Sequence, residues 1–162
     1  MFVSFFPIFM IKNQFSQDIA LQFVTITLVG GVICQPLIGI LLDRMNKRLL
    51  MNIAVFCTFV CPIIIGVFLG NFYLVALSCF VWGGAASGIF SISLTMLGER
   101  YTASQVAGAT AILVMVFECG SLIGPLIGGR VMDIFGPFGF IYTIVFFTFI
   151  FLMISIYRTI RN

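Results

Sequence analysis

Five runs of twenty or more mostly apolar residues, separated by short junctions, leave this chain few folds to adopt. They cover about Ile19 to Leu42, Leu49 to Leu69, Phe72 to Leu97, Val106 to Met132 and Phe138 to Tyr157. About 20 such residues in helical form cross the roughly 30 Å hydrocarbon core of a bilayer. Buried strands are the rival, because β-branched residues are abundant. Strand runs are short and bounded by turns, however, and these extend too far. The apolar residues also ring each run instead of forming one stripe, the pattern of a helix in lipid. Composition agrees: 62% of the 162 residues are hydrophobic and 8% are charged, against roughly 25% charged in a soluble domain. The expectation is an all-α, polytopic transmembrane helix bundle, one domain over residues 1–162.

Before the first full span lies a hydrophobic stub, residues 1–11. Eleven helical residues reach only about 16 Å, half a bilayer, so the stub reads as the end of a helix whose beginning lies outside this sequence. The opening MFVSFFPIFMIKN has no basic segment and no small-residue cleavage site, so no secretory leader is expected. Orientation follows from Lys and Arg. Arg44, Lys47, Arg48, Arg100, Arg158 and Arg161 fall on one side of the membrane, and only Lys12 and Arg130 on the other. The positive-inside rule makes the first side cytoplasmic. The C-terminus is then inside, the expected location is the inner cell membrane, and the complete unit would have six spans.

Several functions are disfavoured at once. The net charge of +3 is held in short junctions, not spread as nucleic-acid binding requires. Histidine is absent, and Cys34, Cys57, Cys61, Cys79 and Cys119 all lie inside apolar runs without a CxxC, where cysteine acts as a small hydrophobe. No metal and no cofactor is expected. There is no G-x-x-x-x-G-K-[ST] phosphate loop to drive an ATP-powered pump. An enzyme would need polar catalytic groups clustered at one depth, and the sequence offers none.

The most specific stretch is the first junction, Gly39-Ile-Leu-Leu-Asp43-Arg44-Met-Asn46-Lys47-Arg48. A short turn between spans needs basic residues for topology and a residue that tolerates left-handed backbone, which Asn46 does. That does not account for an acid, Asp43, at the membrane boundary directly before Arg44. Here the chain resembles the major facilitator superfamily, whose loop between the second and third helices of each half carries a G-x-L-x-D-R-x-G-R-R pattern. Gly39, Leu41, Asp43, Arg44 and Arg48 fit it, Lys47 replaces an arginine, and Asn46 stands where glycine is usual. The resemblance implies a cytoplasmic latch at Asp43, Arg44 and Arg48. Glu99 and Arg100, in the junction Gly98-Glu99-Arg100-Tyr101-Thr102, lie on the same side and would extend it into a charge relay. Otherwise they are interfacial charges facing water.

The fourth span contains Gly120-Ser-Leu-Ile-Gly124-Pro125-Leu-Ile-Gly128-Gly129. Glycines at this spacing make a smooth stripe on which another backbone can close, and Pro125 permits a bend. The string is similar to the G-x-x-x-G-P-x-x-G-G pattern of the superfamily's antiporters, with Ala111 replacing an upstream glycine. Since a related string occurs in the symmetry-related helix, antiport does not follow. Glu118 lies mid-span, where an ionised carboxylate is costly. It either faces the bundle and pairs or protonates, as in a proton-coupled carrier, or hydrogen-bonds a neighbouring helix. Gln35-Pro36 and Trp82-Gly83-Gly84 serve equally well as cavity lining or as packing. Arg130 and Asp133 have helical spacing for a weak exposed pair.

The resemblance implies a secondary carrier of a small solute, working by alternating access, with protons as a candidate coupling ion. It implies the C-terminal half, helices seven (in part) to twelve, and as partners the membrane lipid and an N-terminal six-helix half. The alternatives are a non-transporting remnant of a split transporter gene and a structural membrane protein.

Overall fold

The computed structural model describes residues 2–161, with the side chains of residues 4–159 and 161. The described chain is α-helical without strands: α1 (Phe2–Lys12), α2 (Gln17–Arg44), α3 (Lys47–Val67), α4 (Phe72–Arg100), α5 (Ala103–Phe135) and α6 (Gly139–Arg161). The five helices after α1 are each long and apolar enough to cross a membrane.

The ends of the helices follow from local chemistry. Ser16 precedes α2, and its Oγ accepts the Ile19 N–H at 3.4 Å. Asn71 precedes α4 and accepts from the Leu74 N–H at 3.2 Å. At the start of α5, Gln105 Oε1 accepts the Thr102 N–H at 3.4 Å. Each bond satisfies a donor that the first helical turn leaves without a partner. α5 stops at Gly136, whose φ of +70° suits glycine and few other residues.

Short junctions force consecutive long helices antiparallel, so the bundle has two unlike ends. At the end holding Lys12, Asn71 and Gly136, an aromatic core closes the bundle. Phe6, Phe9 and Met10 of α1 are fully buried there, against Phe23 of α2, Val75 of α4 and Phe140 of α6. Phe6 meets the Phe23 ring edge-on with centroids 6.3 Å apart, and Phe9 lies 5.7 Å from Phe140. These separations suit favourable ring pairs. The eleven-residue α1 therefore acts as a hydrophobic plug. At the opposite end, holding Arg44, Lys47, Arg100 and Arg158, the core shrinks to Leu42, Leu50, Ala54 and Ile92.

α2 packs along α4, and α3 bridges α4 and α6. The α2–α4 crossing is the tightest in the fold. A Cβ built on Gly30 would sit on the carbonyl oxygen of Phe80, and one on Gly83 would sit on that of Thr27. Only glycine allows backbones this close. Gly84 and Gly88 continue the strip against Cys34 and Ile38. In the Trp82-Gly83-Gly84 segment both glycines are buried against α2 and serve packing.

Candidate functional site

The polar chemistry of the chain concentrates at the basic end. α2 ends at Arg44 and α3 begins at Lys47, so only Met45 and Asn46 join them. Asn46 is in extended backbone (φ −62°, ψ 119°) and its Oδ1 accepts the Arg48 N–H at 2.9 Å. The left-handed role expected from sequence is corrected: Asn46 caps α3. A two-residue junction has no room for a separate loop, so the residue that makes the turn must also satisfy the next helix's free donors.

That cap fixes Lys47 and Arg48 in the first turn of α3. Lys47 Nζ forms an ion pair with Glu99 Oε1 in the last turn of α4, joining the two basic-end junctions. The Lys47 side chain is 27% exposed and that of Glu99 58%, so water screens the pair and its worth in stability is about 0–1 kcal/mol. Its value is positional. Glu99 takes Lys47, not Arg44 or Arg48, as its ion-pair partner. Asp43, Arg44, Arg48 and Arg100 are exposed around it, and the space beside Gly39 is open.

Three polar links cross between the helices. Ser91 Oγ of α4 donates to Gln35 Oε1 of α2 at 2.9 Å. Ser87 Oγ donates to the Gly31 carbonyl at 3.2 Å. Asn52 of α3 receives Ser155 Oγ of α6 at 2.5 Å and gives its amide to Thr159 Oγ1 at 3.0 Å. The last link was not anticipated from sequence. Its signal is an Asn five residues into a span, matched by Ser155 and Thr159 one helical turn apart.

α5 stands apart. It touches α6, α4 and α1, yet most of its length has one uncovered side. Glu118 lies on exposed surface midway along it, beside Phe117, whose ring meets Phe90 of α4 at 5.3 Å. Among the described residues the carboxylate meets only Ser121 of its own helix, whose Oγ lies 3.2 Å from Oε2. The glycine stripe is occupied only toward the aromatic end. Gly128 is buried, Gly129 faces Phe5 at ordinary contact distance, Gly124 and Pro125 are half-buried, and Gly120 opens onto empty space. Arg130 and Asp133, both exposed, form no ion pair among the described residues.

A family model described as Major Facilitator Superfamily matches residues 1–161. The chain is 24% identical over 139 residues to YfkF, an uncharacterized MFS-type transporter of Bacillus subtilis, covering 86% of this chain and 35% of that protein. It is 30% identical over 104 residues to YE1530, an uncharacterized MFS-type transporter of Yersinia enterocolitica, covering 64% of this chain and 26% of that one. The chain thus spans about a third or less of the length of these curated relatives. No solved structure matches it. With five apolar helices of spanning length behind a short plug, and a family match from its first residue to its last but one, the chain belongs to the Major Facilitator Superfamily.

Proposed function

We propose that this chain supplies one wall of a secondary transporter that moves a small solute across the inner cell membrane by alternating access. The observation that carries the reading is Glu118. A carboxylate at mid-span is costly against lipid, and here it is exposed and meets only Ser121 within its own helix. Such a face requires water or protein against it. A solute pathway between two helical bundles meets that requirement, since carriers of this kind bind at the midplane between their repeats. The chain then corresponds to the C-terminal half, helices seven to twelve, facing an N-terminal six-helix half.

In this reading Glu118 carries the coupling proton, with Gln35 a candidate solute contact. The direct test is solute-evoked proton flux in vesicles bearing the full-length product. Glu118→Gln is expected to reduce the flux at least about a hundredfold, comparable to losing a positioned acid–base group, with protein level and folding preserved. Unchanged proton flux removes Glu118 from coupling.

The Lys47–Glu99 pair and the exposed Asp43, Arg44 and Arg48 form the cytoplasmic gate. That assignment rests on the asymmetry of Lys and Arg between the two ends and is checked by topology. A cysteine introduced at Met45 stays unlabelled when intact cells meet a membrane-impermeant thiol reagent, and labels after permeabilisation. Labelling from outside reverses the orientation and dissolves the gate.

A further inference from the structure

We infer that the cleft between α3, α4 and α6 at the basic end is a binding site for an anionic phospholipid. The cleft has a volume of about 1010 Å³. Four basic residues line it, Lys47, Arg48, Arg100 and Arg158, against one acid, Glu99. Among the described lining residues the bases outnumber the one acid, which Lys47 engages, so these side chains carry a net positive charge that an anionic headgroup complements. Basic pockets between transmembrane helices at the membrane surface favour such headgroups.

The lower wall selects lipid over a soluble anion. Below the charges the lining becomes Met51, Met96, Phe151 and Ile154. Phe151 lies seven residues before Arg158 on α6, so the apolar wall extends roughly 10 Å from the charged mouth. Phosphate or a nucleotide has no use for that wall, whereas the first methylenes of an acyl chain do. Ser155 and Thr159, tied to Asn52, add hydroxyls to the same wall, Ser155 between Ile154 and Arg158 and Thr159 beside Arg158.

The cleft also opens sideways toward the membrane. An adjoining groove of about 640 Å³ on α6 shares Ile154 and Arg158 with it and adds Met153, Tyr157 and Arg161. Met153, Ile154 and Tyr157 are each at least half exposed, which gives a lipid a lateral route in. Since Lys47, Arg48 and Glu99 also belong to the proposed gate, a bound headgroup would compete for the same cations. The binding itself requires only that this end lie at the membrane surface, so it stands or falls separately from transport.

The test uses the full-length protein in nanodiscs of phosphatidylcholine and phosphatidylglycerol, read by native mass spectrometry. Wild type is expected to retain phosphatidylglycerol above its share of the bilayer. Arg48→Gln with Arg158→Gln is expected to lower that retention about thirtyfold, at roughly fivefold per basic residue near an anionic surface. Arg130→Gln, at the other end of α5, leaves it unchanged. Retention in proportion to composition overturns the site and points to a protein segment filling the cleft. Displacement of the lipid by millimolar inorganic phosphate overturns it in favour of a soluble anion. Should the double variant misfold, a photoactivatable phosphatidylglycerol on wild type decides: adducts at Met51, Met96 or Ile154 are expected, and adducts confined to other surfaces refute the site.

Discussion

α4 and α5 are close to equal in length and both carry small residues at helical spacing, yet their surroundings are opposite. Of the most apolar stretch of α4, 39% is buried; of that of α5, none is. In α4 the glycines Gly83, Gly84 and Gly88 lie against α2, two backbones closing where no Cβ intervenes. In α5, Gly120 faces nothing, and Glu118, two residues away and so on nearly the opposite side of the helix, is exposed as well. A small-residue stripe is permission for a close approach, and the approach depends on what the rest of the fold delivers. The difference divides the bundle into a part whose job is cohesion and a part held ready for something else. α1 joins the cohesive part at the aromatic end, where Phe6, Phe9 and Met10 are buried.

The largest effect belongs to the α2–α4 crossing. Gly83→Ala places a methyl on the Thr27 carbonyl oxygen, and backbone cannot yield as a side chain tip can. A cost at the upper end of the overpacking range, about 3 kcal/mol, is expected as a lowered thermal unfolding midpoint of the purified protein. A variant as stable as wild type would mean that the two helices are not in backbone contact, and the contrast with α5 would vanish. A smaller effect is expected at Ser87, whose hydroxyl ties α4 to the Gly31 carbonyl and to Gly84 of its own helix. Ser87→Ala should cost about 0.6 kcal/mol, the typical worth of one interhelical hydrogen bond in a membrane protein.

How far these differences were readable beforehand depends on which force sets each one. The all-helical class and the long apolar helices were legible because run length alone decides them. The basic junction was legible as a place, from Asp43 through Arg48, but the partner of Glu99 was not. Sequence puts Arg44, Lys47 and Arg48 within reach alike, and only the cap at Asn46 fixes which one turns toward α4. Asn46 itself was misread because a left-handed turn and an N-cap favour the same residue types. The glycines show the deeper limit. Nothing in the spacing of Gly120, Gly124 and Gly128 distinguishes them from Gly84 and Gly88, since the distinction lies in another helix. The depth of Glu118 was likewise readable, and its exposed side was not.

The smallest expected effect is at Gly120, and it probes the comparison most finely. With no atom within 4 Å of its would-be Cβ, alanine there meets no clash, and alanine is also the better helix former by about 1 kcal/mol. Gly120→Ala should therefore leave the unfolding midpoint unchanged or raise it slightly, in direct contrast to Gly83→Ala. That outcome implies that no other helix closes on the Gly120 side of α5 in the assembled protein. A loss of more than about 1 kcal/mol would mean that another backbone closes on Gly120 as α2 closes on Gly83. The two glycine stripes would then differ only in which helix covers them, and the contrast between α4 and α5 would fail there.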